Sequence, residues 1–340
     1  SYIKKALEIL KTEEFVRLER SIKENALLQL GFDPKLDTDK LDIYFTPLTS
    51  LSFYKSLEIY IKENNFQINA TELGQGFQNA IVIAIVKAFE ENRKQGALFL
   101  IEEPELYLHP QMQRSLYKTI RKIGETNQVI YITHSPNFVT IPDFQEVALV
   151  RKSQSGTEVI HSTLKPDSRL IEKFRKELDP ERNEMFFAKR VLFVEGDTEK
   201  LALPEYARRL DIDIDNKGIS IIEVGGKRSI IDFVELAISF QIEAAFIYDT
   251  DSTAFEGKKD EEKSYNELLD SYSAKGIKVF TFEKNYEDEL RKFYGEDTYQ
   301  KMCGKYERTS KPIRARLFAL DTTYEIPKFI LPITNWLNER

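Results

Sequence analysis

The sequence predicts two α/β domains in series, each organised on a parallel sheet, with helices ahead of the first. Three observations carry this. Short apolar runs at 97–101 and 190–194, each followed closely by acidic residues, have the character of strands buried on both faces. Stretches of helical spacing separate them from further apolar runs, which makes strand–helix–strand units. A charged stretch at 165–184 parts the two groups. At 340 residues the chain exceeds one typical core and suits two domains that each bury an interior.

Apolar positions Ile3, Leu7, Leu10, Val16 and Ile22 fall at helical spacing over about 1–30, and 33–42 reads as a loop. Over 41–69 strand-like and helical pieces alternate. Gly74-Gln75-Gly76 opens a helix with Ala80, Ile81, Ala84, Ile85 and Ala88 along one face. Strands at 97–101 and 128–133 flank a helix at 111–124, and 147–151 with 158–161 form a hairpin. Strands at 190–194, 219–224, 244–248 and 277–282 then alternate with helices at 198–210, 229–240 and about 261–274. The expected divisions are a helical, dimerising segment with the start of the first domain at 1–64, the remainder of that domain at 65–164, a linker at 165–188 and the second domain at 189–340. The beginning reads as cut from something larger.

Hydrophobic residues make up 41% of the chain and charged residues 31%, and no apolar stretch approaches the roughly 20 residues that span a bilayer. The first residues have neither a secretory nor a transit pattern. One cysteine, Cys303, excludes an intrachain disulfide framework and a multi-cysteine zinc site, and it reads as structural. The expected setting is a reducing cytoplasm, with no membrane. A net charge of −7 argues against coat-like nucleic-acid binding, yet clustered carboxylates holding divalent cations restore positive charge where a phosphate sits.

The 98–101 run leads into Glu102-Glu103-Pro104-Glu105, which puts carboxylates at the carboxyl end of a strand, where ligands of open α/β sheets gather. Glu102 suits a water-mediated magnesium contact and Glu103 the polarisation of a water attacking a γ-phosphate. His134, after the next strand, offers an imidazole to the same rim. Taken singly, the acidic run is equally a solvated loop, His134 a capping or core histidine, and Gly74 and Gly76 an ordinary turn. Four elements in this order resemble the ABC-type ATPases. Glu102-Glu103 is similar to Walker B with its catalytic glutamate, with a glutamate in place of the usual first aspartate. Residues 106–110 (L-Y-L-H-P) resemble a D-loop, His134 the switch histidine, and 73–78 (L-G-Q-G-F-Q) the signature motif. That resemblance implies a homodimer or higher oligomer, because the signature helix N-terminus, with Gly74 and Gly76, donates to a phosphate held by the opposite protomer. Nothing before Leu73 resembles G-x-x-x-x-G-K-S/T, so this is the C-terminal half of such a domain and ATP is expected only where a longer protein supplies the phosphate cradle.

The second constellation is V-E-G-D-T-E at 194–199, with Glu195 at a strand end and Glu199 in the first helical turn. Asp249 and Asp251 close a later strand at alternate spacing. Four acids at one sheet edge repel one another unless protonated or occupied by hard divalent cations. Any one alone is an ordinary structural acid: Glu199 suits a helix start, and Asp249 and Asp251 suit caps. Glu256, Asp260, Glu261 and Glu262, interleaved with lysines, read as a solvated run outside the site.

These residues resemble the Toprim domain, with Glu195 as its strand-end glutamate and Asp249 with Asp251 as its D-x-D. The V-E-G-D-T-E form behind an ATPase half is similar to the overcoming-lysogenization-defect (OLD) family of nucleases, including the nuclease subunit of Gabija-type anti-phage systems, over about 65–325. The resemblance implies a DNA endonuclease, nicking or cutting both strands, with two Mg2+ or Mn2+ ions per site and ATPase regulation. It implies Glu195, Glu199, Asp249 and Asp251 as ligands, with Glu283 and Glu287 as further ones. Lys311, in K-P-I-R-A-R, would stabilise transition-state charge, and a helicase partner follows from the Gabija likeness alone. Lys305, Arg308, Lys311, Arg314 and Arg316 form a basic run that suits a phosphate backbone, or equally a solvated helix face. Topoisomerase or primase chemistry is the neighbouring alternative, and none of the sixteen tyrosines lies in a nucleophile motif. A nucleotide-gated scaffold or DNA-binding module with a non-cleaving Toprim domain is the alternative from another class.

Overall fold

The computed structural model describes residues 12–45, 57–63, 66–91, 96–139, 141–153, 156–165, 168, 171–172, 174, 180–250 and 259–339. The chain divides into two compact units, Ser1–Phe138 and Val139–Arg340. By this division the hairpin and the segment at 165–188 lie in the second unit.

In the first unit, helix α1 (Glu13–Gln29) starts at Thr12, whose hydroxyl accepts from Phe15 N at 3.2 Å, and carries Glu13 and Glu14 in its positive first turn. It buries Ile22, Ala26 and Leu27 against strands β1 (Leu41–Phe45) and β2 (Leu57–Glu63) and helix α2 (Gln75–Glu91). With β3 (Phe66–Asn69) these strands make an antiparallel sheet in the order β1-β2-β3. The alternation expected over 41–69 therefore resolves, among the described residues, into strands, which a 3-10 turn, Ala70–Glu72, follows. Ile59 and Ile61 recur every second residue on the buried face, a period that suits a strand.

Strands β4 (Leu98–Glu102) and β5 (Gln128–Ile132) pair in parallel through helix α3 (Pro110–Gly124). Pro110 suits the first helical turn, where its missing N–H costs nothing. One face of this pair turns toward a core of Ile83, Leu108, Leu116, Ile120 and Phe138. The other face leaves Leu98, Leu100, Ile130 and Ile132 more than half exposed, unlike the two-sided burial that the apolar runs predict.

The second unit holds the hairpin β6 (Ala148–Ser153) and β7 (Gly156–His161) and a parallel sheet of β8 (Arg190–Val194), β9 (Ile219–Glu223), β10 (Glu243–Asp249) and β11 (Lys278–Phe282), in the order β11-β10-β8-β9. Every residue of β8 is buried, as a central strand covered on both sides requires. Val191, Phe193, Phe246 and Tyr248 pack against helix α5 (Ile230–Ser239) and Phe174, Met185 and Phe186. Leu192, Val194, Ala245 and Ile247 face helices α4 (Asp197–Arg209), α7 (Tyr286–Tyr294), α8 (Glu296–Lys305), α9 (Lys311–Leu320) and α10 (Leu331–Asn338). Helix α6 (Lys259–Asp270) links β10 to β11.

Chain order places β9 on one side of β8 and β10 on the other. The order in which strands are added thus reverses between β8 and β10, and the crevice beyond their carboxyl ends is where open α/β sheets take ligands. Glu195 follows β8, and Asp249 ends β10.

Candidate functional site

Parallel strands end at one edge, so the residues following each apolar run are brought together by topology. The Oε1 of Glu195 accepts the backbone N–H of Asp249 at 2.6 Å, and its carbonyl accepts the N–H of Gly226, in the turn after β9, at 2.8 Å. Glu195 is therefore fixed to both neighbouring strand ends.

Glu199 projects from the first turn of α4 and is 6% exposed. Burial pushes its carboxyl up to about 7, with the charges of Glu195 and Glu287 adding to the rise against its own backbone hydrogen bond and Lys311. Glu287, in the first turn of α7, pairs through Oε2 with Lys311 Nζ at 2.9 Å, while its Oε1 is buried without a hydrogen-bond partner among the described residues. Burial draws the Lys311 ammonium down, but its hydrogen bond to Glu287 and the charges of Glu287, Glu199 and Asp249 outweigh this and raise it. Lys311 reaches this edge because α9 packs along α4. Arg316 Nε meets Glu205 of α4 at 2.9 Å, and Arg209 donates to the carbonyls of Ala319 and Tyr324 at 3.1 and 2.6 Å.

Glu195, Glu199, Asp249, Glu287 and Lys311 thus share one neighbourhood. Glu283 does not turn its carboxylate into it: the group is 72% exposed and paired with Lys292. Asp251 lies outside the described residues. Among the described residues no three carboxylate, histidine or cysteine side chains stand close enough to enclose a metal. The donor chemistry nonetheless suits a hard cation, since a buried carboxylate that resists ionisation and an orphaned buried carboxylate oxygen both gain from added positive charge.

The basic run is divided between two helices, and most of its charges are engaged. Lys305 meets Asp321 at 2.6 Å, Arg314 donates to the carbonyl of Thr309 at 3.1 Å, and Arg316 and Lys311 hold the glutamates above. Arg308 is exposed and has no ion pair or hydrogen bond among the described residues. Glu262 departs from the solvated run expected of it. It is 19% exposed and pairs with Lys227 at 3.1 Å and with Arg228, both from the turn after β9. Lys227, Arg228, Glu223 and Arg182 were not singled out from sequence, although a glycine pair followed by two cations after an apolar run was the available signal.

In the first unit, Glu103 has φ +46° and closes the strand end, its N–H bonding to Ile132 O at 2.9 Å. Its Oε1 lies 3.2 Å from Nε2 of His134, which puts the two sequence-predicted residues on one rim. Burial and the neighbouring Glu105 raise the Glu103 carboxyl, opposed by His134. Glu105, 6% exposed, accepts on Oε1 from Thr133 Oγ1 at 2.5 Å and from the N–H groups of His134 and Ser135 at 2.9 and 3.1 Å, so it shapes the loop that carries His134. Glu102 is exposed on the open face of β4. Gly76 packs so tightly that a Cβ would stand 2.4 Å from the carbonyl oxygen of Tyr107, whereas Gly74 has open space. The start of α2 and the 103–108 loop are therefore in direct apposition.

Residues 186–251 match the family model of the overcoming lysogenization defect protein-like TOPRIM domain. The chain carries an OLD-like Toprim domain. Residues 2–139 match an AAA ATPase domain model, so the resemblance drawn from the motifs is borne out in both halves. An OLD nuclease of Thermus scotoductus is 32% identical over 265 residues, covering 76% of this chain and 50% of that protein. The Old nuclease of Escherichia phage P2 is 28% identical over 199 residues, 53% of this chain and 33% of that protein. Endonuclease GajA of Bacillus cereus is 26% identical over 267 residues, 67% of this chain and 38% of that protein. The chain spans half or less of the length of each of these relatives. The Toprim match includes Glu195, Glu199, Asp249 and Asp251 and ends before Glu283, Glu287 and Lys311. No helix among the described residues is long and apolar enough to cross a membrane.

Proposed function

We propose that this chain is the cutting part of a metal-dependent DNA endonuclease that an ABC-type ATPase regulates, acting in the cytoplasm in anti-phage defence. The observation that carries the reading is the bond between Glu195 and the Asp249 backbone at the sheet's switch point, with buried Glu199 beside it. Nuclease and endonuclease names among the relatives support the same activity.

In this reading Glu195, Glu199, Asp249 and Asp251, assisted by Glu287, hold Mg2+ or Mn2+. Two such ions supply an activated water and charge neutralisation at the leaving oxygen. The chain's own contribution is to anchor the acids on rigid strand ends and to keep Lys311 close enough to offset charge on the phosphate. Arg308 and its basic neighbours supply backbone contacts to DNA. Two copies, or more, meet through the ATPase parts, with 73–78 of each facing nucleotide bound by the other. A helicase partner belongs to the Gabija likeness.

Supercoiled plasmid with Mg2+ or Mn2+ tests the reading. Wild-type chain is expected to nick or linearise it, and Glu195→Gln to lower the rate by more than roughly a hundredfold with the fold retained, since even outer-shell changes at metal sites cost 10–100-fold. The rival, a nucleotide-gated scaffold or DNA-binding module that does not cut, is favoured by one observation: Lys311 is paired with Glu287. It wins if wild-type protein leaves plasmid intact across metals while still binding DNA.

A further inference from the structure

We infer that Arg182 is a positioning residue for the candidate cutting centre, acting through Glu223 and the Gly225-Gly226 turn on the main chain of Glu195. The inference rests on reading this edge as the nuclease site.

Arg182 lies in the single helical turn Pro180–Asn183, ahead of β8. Its Nε donates to the carbonyl of Glu223 at 2.9 Å and its Nη2 to the Glu223 carboxylate Oε2 at 2.7 Å. Both side chains are largely buried, 17% and 21% exposed. A planar guanidinium meeting one residue at two points fixes orientation as well as distance. The other carboxylate oxygen of Glu223, Oε1, accepts the N–H of Gly225 at 2.5 Å. Gly225 and Gly226 have φ of +79° and +105°, left-handed backbone that brings no side chain of its own to hold the turn. The next N–H, of Gly226, donates to the carbonyl of Glu195 at 2.8 Å. An unbroken line of bonds therefore runs from a guanidinium to the residue whose carboxylate grips Asp249.

The line has a weak member. Glu223 spends one oxygen on Arg182 and the other on Gly225, so without the cation its carboxylate is held by the Gly225 N–H alone. A cavity of about 90 Å³ lined by Glu181, Arg182, Glu184, Lys200 and Glu223 offers it space to move. Removing Arg182 should loosen the turn and blur the position of Glu195.

The test uses the full chain with Arg182→Ala, Arg182→Lys and Glu223→Gln. Amide exchange at Gly226 is expected to speed up about tenfold in Arg182→Ala, less in Arg182→Lys, with the amides inside β8 and β10 unchanged and with added methylguanidinium slowing it again. In cleavage, kcat should fall about tenfold at constant KM for DNA, the half-saturating Mn2+ concentration should rise, and methylguanidinium should restore both. Unchanged Gly226 exchange in a folded Arg182→Ala overturns the inference, and so does a loss that methylguanidinium does not relieve. If Arg182→Ala fails to fold, Glu223→Gln decides in the same way, accelerated Gly226 exchange supporting the inference and unchanged exchange overturning it. If wild-type chain cuts nothing, the nuclease reading fails alone, and the exchange result still settles whether Arg182 positions Glu195.

Discussion

Glu199 is the acid whose surroundings differ most from water. Its carboxyl stands at about 7 in the fold against an ordinary 4.5, so the native state binds a proton that the unfolded chain releases earlier. A raised carboxylate contributes stability that is full below about pH 4.5 and lost as pH climbs through 7. The swing is at most about 3 kcal/mol, from the size of the shift. Urea unfolding without divalent ions should therefore show stability falling between pH 5 and pH 8. The same series in Glu199→Gln should lack that fall, and Mn2+ should restore stability at pH 8 in wild type more than in the variant. A wild-type profile that parallels Glu199→Gln would remove burial of charge as the property that readies this edge for a cation. Position in sequence marked Glu199 as a candidate, because an acid in the first turn after an apolar strand is recognisable. Its surroundings were not legible, since Tyr286 and Glu287, which interact with it, arrive from a helix almost ninety positions later.

At the scale of elements, the pairing of α4 with α9 delivers Lys311. Spacing alone treats 305–316 as one basic run, but α8 ends at Lys305 and α9 begins at Lys311, so its charges leave from different helices. The acids they meet, Asp321 and Glu205, lie 16 and 111 residues away. No local pattern announces the second. Arg316 and Arg308 should consequently respond differently to substitution. Arg316→Met leaves Glu205, 3% exposed, with less compensation and should cost roughly 1–3 kcal/mol in urea unfolding. Cleavage should fall with it as α9 shifts, while the salt dependence of DNA binding stays unchanged. Arg308→Ala should leave unfolding within about 0.5 kcal/mol of wild type. It should also reduce the slope of log affinity against log salt by about one. If Arg316→Met changes that slope and leaves stability intact, the groove reading of the run is right and the helix-pinning account is wrong.

Across the whole molecule, two sheets with equally apolar strands end in different circumstances. The run at 190–194 is covered on both faces, as its composition predicts, and its strand ends gather the acids of the candidate centre. The run at 98–102 has the same appearance, yet Leu98 and Leu100 are 55% and 71% exposed, with Ile130 and Ile132 at 53% and 59%. A sequence states that a strand is apolar, not what lies against it, so this difference was beyond reach of periodicity. Contiguous exposed apolar side chains on a parallel pair are a surface that binds. Glu102 opens onto that same face, and the sequence before Leu73 has no phosphate-cradling lysine motif. The 340-residue chain is therefore expected to bind an apolar dye and to show no rise in melting temperature with Mg-ATP. Leu100→Asp should abolish much of the dye signal at a stability cost within about 0.5 kcal/mol, because that side chain is 71% exposed. Ile101→Asp, one residue on and turned to the core of Leu116 and Phe138, should cost several kcal/mol by burying a charge. Equal destabilisation by the two changes would mean that the face is already covered, and stabilisation by Mg-ATP would mean that the rim of Glu103 and His134 holds nucleotide without the motif that the resemblance requires.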